Sequence, residues 1–152
     1  MSMRFSVLSH SRDGYQAMVN VEKYVAACGV EPKLLHLVKF RVSQINGCAF
    51  CLDMHSKDLR ALGETEQRLY GLDAWEECPY YTDRERAALA WAEAITKITD
   101  GHVSDAVYDR ARSQFNEKEL SDLTLAIATI NSWNRISIAS RTPAGTYKAG
   151  QH

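Results

Sequence analysis

Apolar residues recur at helical spacing along almost the whole chain, and this pattern constrains the fold more than any other feature. Repeats of apolar side chains every three or four residues are typical of amphipathic helices. Only three prolines and eight glycines interrupt the 152 residues. No alternation of strands with helices and no strand–turn–strand pattern is visible. The sequence therefore predicts an all-α fold, and its length and 45 % apolar content favour one compact domain over residues 1–152.

Breaks and capping residues divide this pattern into separate helices. Asp13 fits the start of the first helix, Pro32 the first turn of the second and Gly47 its end. A third helix is expected to begin at Cys48. Four further helices are predicted over residues 65–72, 82–98, 104–115 and 116–138, two of them opened by capping-box motifs at Thr82 and Asn116. The tail from Thr142 is polar and rich in glycine, so we expect it to fray.

The second predicted helix has a mixed surface. Most of its positions are apolar, but one side carries His36, Lys39 and Ser43. Polar side chains on one side of an amphipathic helix usually face solvent. We therefore expect this side of the helix to be the wetter one.

The charge balance excludes several classes of partner. Eighteen basic and nineteen acidic residues give a formal net charge of −1, which leaves no basic excess for nucleic acid or an anionic membrane. The first residues lack the apolar centre of a signal peptide, and no apolar run is long enough to span a bilayer. We therefore expect a cytoplasmic protein that binds neither nucleic acid nor membrane. In that reducing compartment, paired cysteines are more often catalytic or metal-binding than structural.

The segment that carries chemistry is Cys48-Ala49-Phe50-Cys51-Leu52-Asp53-Met54-His55. If Cys48 lies near the helix start, Cys51 is one turn away on the same face, and the two sulfurs can form and reopen a disulfide. The unpaired N–H groups and partial positive charge of a helix start favour a thiolate. His55 stands one turn beyond Cys51, where it can take the thiol proton or stabilise the thiolate as an imidazolium.

Two other interpretations of these residues stay open. The first is a tetrahedral zinc site, whose ligands would be Cys48, Cys51, His55 and either Cys78 or His36. No second paired half of a zinc motif is visible, so we favour a redox pair and predict no metal and no cofactor. In the second interpretation the paired cysteines only pack, which is what we expect of the isolated Cys28 and Cys78.

The run from Leu37 to His55 resembles the AhpD-like alkylhydroperoxidase branch of the carboxymuconolactone decarboxylase family. The resemblance continues through residues 82–91 and 123–127 to Trp133-Asn134-Arg135, and it covers about residues 15–141. It implies a compact multi-helix AhpD-like domain that assembles as a homo-oligomer, either a trimer or a hexamer. It also implies a hydroperoxide substrate and an external dithiol reductant, which is a lipoyl-bearing or thioredoxin-like protein.

The resemblance also implies a role for each residue of the motif. Cys51 matches the peroxide-reactive thiol of the family, Cys48 the resolving thiol, and His55 the histidine that serves it. The family begins its proton relay with a glutamate twelve residues before the first cysteine, and here His36 occupies that position. Imidazole accepts a proton near neutral pH but lacks the fixed negative charge of a carboxylate. We therefore expect a relay that is weakened, rerouted or rebuilt around His36.

These observations together predict a thiol-dependent peroxidase. The Cys51 thiolate would reduce an alkyl hydroperoxide and become a sulfenic acid, Cys48 would condense with it to a disulfide, and the external dithiol would reduce that disulfide. The alternatives are general dithiol–disulfide exchange with a protein partner and a redox sensor that does not turn over. The lactone decarboxylase chemistry of other family members needs no redox pair, so the intact Cys-x-x-Cys argues against it.

Overall fold

The computed structural model describes residues 2–150, which form eight α-helices and contain no strand. The helices are α1 (Val7–His10), α2 (Arg12–Ala26), α3 (Pro32–Asn46), α4 (Ala49–Ala61), α5 (Glu66–Gly71), α6 (Asp83–Thr96), α7 (Asp105–Arg112) and α8 (Glu117–Ser140). A short 3₁₀ turn, Leu72–Ala74, follows α5. The all-α prediction is confirmed. Among the described helices, none has the length and apolar character needed to cross a membrane.

The predicted helix starts agree closely with the structure, with one exception near the N-terminus. Both capping boxes are present, at Thr82 and at Asn116. One additional helix precedes the first predicted one, however. It is the single turn α1, which is capped by the Ser6 hydroxyl. None of the residues of α1 is buried, so it leaves no apolar periodicity for sequence reasoning to detect.

Helix α3 lies at the centre of the fold and packs against α4, α6 and α8. Nine of its fifteen residues are buried, which marks a helix surrounded by protein rather than a surface helix. One apolar cluster fills the space between α3 and helices α2, α6, α7 and α8. A second, smaller cluster packs the other side of α3 against α4, α5, α6 and the buried Trp75. The central position of α3 brings its side chains to the start of α4.

The expectation that the polar side of α3 faces solvent is wrong. Lys39 and Ser43 are both buried, and only His36 is partly exposed. The Lys39 ammonium pairs with Glu22 of α2, and the Ser43 hydroxyl accepts a hydrogen bond of 3.1 Å from the fully buried Asn134 of α8. Buried polar groups are tolerated where they are paired. Here the partners come from distant helices, so the sequence pattern of α3 alone could not reveal them.

A tight turn joins α3 to α4 and sets the position of the cysteine pair. Gly47 adopts the left-handed conformation, with φ 69° and ψ 35°, and ends α3. The Cys48 N–H then donates to the Ser43 carbonyl at 3.1 Å, and Cys48 becomes the N-cap of α4. Glycine adopts this conformation without the steric penalty that a Cβ brings. The turn thus delivers the first cysteine to the helix start.

We expect Gly47→Ala to lower the free energy of unfolding by about 1 kcal/mol, because alanine is strained in the left-handed region. A Cβ at Gly47 would meet nothing within 4 Å, so the cost is conformational rather than steric. Gly14 is the matched control, since it lies inside α2 and its Cβ would also meet nothing within 4 Å. Gly14→Ala should raise stability by about 0.5–1 kcal/mol. Urea denaturation measures the change in the free energy of unfolding of each variant, and two changes of the same sign would contradict this account.

Candidate functional site

The paired cysteines form a disulfide at the first turn of α4. Cys48 and Cys51 are bonded to each other, with their Cα atoms 5.4 Å apart. The N–H of Cys51 also donates to the Cys48 sulfur at 3.4 Å, which is the N-cap hydrogen bond of α4. Each residue is only 1 % exposed. The pair therefore sits where the helix presents unpaired N–H groups and its positive end, and both features favour a thiolate after reduction.

Two histidines meet beside this pair. His55 lies one turn after Cys51 on α4 and is 3 % exposed. His36 of α3 approaches it, with the two Nδ1 atoms 3.3 Å apart. One Nδ1 donates and the other accepts, in an order that depends on the tautomers. The packing of α3 on α4 thus brings the residue at the family's glutamate position to the histidine next to Cys51.

A buried carboxylate completes this cluster, and sequence reasoning missed it. Asp58 stands three residues after His55 on α4, and its Oδ2 lies 4.0 Å from His36 Nδ1. The Tyr147 hydroxyl lies 2.9 Å from Oδ1 of Asp58 and 3.1 Å from Oδ2, and it donates to this carboxylate. The three-residue spacing from His55 was a signal that could have identified Asp58. No local signal pointed to Tyr147, which is 89 residues away in sequence.

The C-terminal segment is docked on α4, so the expectation that it frays is wrong for residues 142–150. The Gly145 N–H donates to Asp53 Oδ2 at 3.0 Å, and the Lys57 ammonium donates to the Tyr147 carbonyl at 2.9 Å. Lys57 also pairs with Asp53 at 2.8 Å, and this hydrogen bond lowers the pKa of the Asp53 carboxyl. Polar groups of α4 therefore hold this segment in place.

A groove of about 440 Å³ runs between the start of α4 and the end of α8, and Cys48 lines it. Phe50, Ile138 and Pro143 give it an apolar wall, and Arg141 stands among them. Cys51 is not one of its lining residues. A molecule in this groove would therefore meet the disulfide on the Cys48 side.

The thiols of the zinc alternative are engaged in other contacts in this structure. In this structure the two thiols of the zinc alternative are bonded to each other, and the Cys78 thiol instead donates to the Gly71 carbonyl. Within residues 2–150, one group of potential metal-binding side chains has donor atoms within 4.8 Å of one another: His36, His55 and Asp58. The Asp58 carboxylate already accepts from Tyr147, and the histidines share a hydrogen bond.

The helical fold and the Cys-x-x-Cys disulfide at the start of α4 define an AhpD-like protein. The profile of the carboxymuconolactone decarboxylase family matches residues 12–94, which is more than half of the chain. The chain therefore belongs to the carboxymuconolactone decarboxylase family. This confirms the resemblance that the motif indicated.

Similar proteins come from several bacteria. The uncharacterized protein YdfG of Bacillus subtilis is 48 % identical over 139 residues, which cover 91 % of this chain and 95 % of YdfG. ATU0492 of Agrobacterium tumefaciens is described as a protein of unknown function and a candidate antioxidant defence protein AhpD. Its sequence is 38 % identical to this one, and its crystal structure superposes with a TM-score of 0.92. The match covers 96 % of this chain and all of ATU0492. An uncharacterized peroxidase-related protein from Silicibacter sp. TM1040 shares the fold with a TM-score of 0.78 at 22 % sequence identity. The match covers 90 % of this chain and 72 % of the Silicibacter chain.

Proposed function

We propose that this protein is a thiol-dependent peroxidase that reduces alkyl hydroperoxides with Cys51 as nucleophile and Cys48 as resolving thiol. One observation carries the proposal: the buried disulfide caps α4, and His55 lies one turn further on the same helix. The helix start stabilises a thiolate, and the imidazole can take the proton that the thiol gives up. The description of ATU0492 as a candidate antioxidant defence protein AhpD supports the proposal.

The first half of the cycle oxidises Cys51. His55 takes the thiol proton, and the sulfur attacks the terminal oxygen of the hydroperoxide. The O–O bond breaks, and the leaving alkoxide takes up a proton and departs as an alcohol. The sulfur becomes a sulfenic acid, the Cys48 thiol attacks it, and water leaves as the disulfide forms.

The second half of the cycle reduces the disulfide with an external dithiol. Because Cys48 lines the groove, a thiolate entering there attacks the Cys48 sulfur and expels Cys51 as a thiolate beside His55. The second thiol of the donor then attacks the mixed disulfide, which releases the Cys48 thiol and the oxidised donor. No electron carrier other than this dithiol is required. We infer a lipoyl-bearing or thioredoxin-like protein as the donor, in a reducing cytoplasm.

The groove beside Cys48 has an apolar wall that suits an organic molecule. Its wall includes the apolar side chains of Phe50, Ile138 and Pro143, and burial of an alkyl group there contributes favourably to binding. Because Cys48 rather than Cys51 lines the groove, we assign this apolar wall to the organic part of the dithiol donor, and we infer the alkyl hydroperoxide substrate from the family resemblance. By family resemblance, we further infer that the working protein is a homo-oligomer of three or six subunits.

A comparison of two oxidants tests the proposal. The reduced protein is mixed in turn with cumene hydroperoxide and with an oxidised dithiol, and disulfide formation is followed in each case. We expect faster oxidation by the hydroperoxide and repeated turnover when dithiol is supplied in excess. Faster reaction with the disulfide would favour general dithiol–disulfide exchange. Oxidation in a single event, without turnover, would favour a redox sensor.

A further inference from the structure

The site holds a carboxylate even though the family's glutamate position is occupied by His36. That carboxylate is Asp58, whose Oδ2 lies 4.0 Å from His36 Nδ1. Asp58 is 6 % exposed and reaches the histidine pair from α4 instead of α3. The carboxyl group expected at one position is therefore present in the same cluster, contributed by another helix.

We propose that Asp58, oriented by the Tyr147 hydroxyl, supplies the negative charge of the proton relay, where it balances the proton taken up by the His55–His36 pair. The inference rests on the proposed function, since the relay serves Cys51. It makes Asp58 and Tyr147 positioning residues, which act on the sulfur only through the histidines.

A negative group beside the histidine pair fits the electrostatics of the cluster. Two imidazoles whose Nδ1 atoms are 3.3 Å apart share one proton between those two atoms, because two N–H groups facing each other would repel. A nearby carboxylate stabilises the imidazolium that forms when the pair takes up a further proton. The proton that leaves Cys51 enters at His55, and the positive charge is then balanced by Asp58. The cluster brings together groups from three segments: His36 from α3, His55 and Asp58 from α4, and Tyr147 from the C-terminal segment.

Tyr147 fixes the carboxylate in place. Its hydroxyl lies within 3.1 Å of both Asp58 oxygens, and the Gly150 N–H adds a longer contact of 3.4 Å to Oδ1. The Lys57 ammonium holds the Tyr147 carbonyl at 2.9 Å. Residues 142–150 thus serve to orient the relay.

Alkylation of Cys51 by iodoacetamide tests the proposal without any peroxide. The full chain is reduced, and mass spectrometry measures modification at Cys51 separately from the other cysteines. We expect Asp58→Asn to slow the reaction at pH 7 about tenfold and to move the pH–rate profile up by about one unit. Asp53→Asn is the matched control, because Asp53 binds the same C-terminal segment through Gly145 but lies outside the cluster. It should change the rate by less than about twofold.

A glutamate at position 36, where the family has one, should restore the alkylation rate that Asp58→Asn loses. In the Asp58→Asn background, His36→Glu should restore the rate to within about threefold of the wild type. Tyr147→Phe should slow alkylation about threefold and keeps the test valid if Asp58→Asn does not fold.

Three results would overturn the inference. The first is an equal loss of rate in Asp58→Asn and Asp53→Asn, which would assign the effect to docking of the C-terminal segment. The second is a failure of His36→Glu to rescue Asp58→Asn. The third is zinc bound by the purified wild type and lost in Asp58→Asn, which would make the cluster a metal site. Because no hydroperoxide is used, these outcomes are independent of whether the peroxidase activity is found.

Discussion

Cys51→Ser should abolish turnover of an alkyl hydroperoxide in the presence of excess dithiol, with a loss of at least about a thousandfold. Serine lacks the acidic thiol that the start of α4 and His55 ionise, and a hydroxyl does not attack an O–O bond at neutral pH. The measurement is peroxide consumption coupled to oxidation of the dithiol. Thermal unfolding of the variant confirms that the fold is kept, since the change replaces one buried sulfur by oxygen.

The Cys48→Ser variant distinguishes the role of the resolving thiol from that of the nucleophile. It keeps the Cys51 nucleophile but cannot close the disulfide, so it should form a sulfenic acid once and then stall. Trapping with dimedone and mass spectrometry would place that oxidation on Cys51. Cys28→Ser is the matched control at a cysteine outside the pair, and it should turn over normally. If Cys51→Ser retained turnover while Cys48→Ser lost its first oxidation, the two cysteine roles would have to be exchanged.

His55→Asn should slow oxidation of Cys51 by on the order of 10² to 10³, which is the range for loss of a positioned proton acceptor. Asparagine keeps a polar side chain one turn after Cys51 but cannot hold the thiol proton. Stopped-flow measurement of the first oxidation isolates this step from recycling. The difference in oxidation rate between the variant and the wild type should shrink at high pH, where the Cys51 thiol ionises without a proton acceptor.

His10→Asn is the control for this prediction. His10 is exposed in α1 and lies outside the cluster, so its replacement should leave the oxidation rate within about twofold of the wild type. A His55 variant as fast as the His10 variant would show that the helix start alone ionises the thiol. The inferred relay would then have no role in peroxide reduction.

The sequence was sufficient for the fold class and for most helix starts. Thr82 and Asn116 formed the expected capping boxes, and Gly47 ended α3 as its position suggested. Each of these features depends on side chains and backbone groups within four residues of one another. Helix α1 was missed because a single exposed turn buries nothing and so carries no apolar pattern.

The same argument explains which part of the candidate site was predictable. Cys48, Cys51 and His55 lie within eight residues, and helical geometry alone places them on one face. Asp58 continues that face and was within reach of the same reasoning. His36 could be assigned only by family resemblance, because its distance from His55 depends on how α3 packs against α4.

The amino-acid sequence by itself determined the helices, the start of α4 and the cysteine pair, since short-range hydrogen bonds and helical periodicity fix all three. Only the tertiary structure decided that His36 meets His55, that Lys39 and Ser43 are buried, and that Tyr147 reaches Asp58. These contacts join segments distant in sequence, and their formation depends on the packing of whole helices and on polar partners that no local pattern contains.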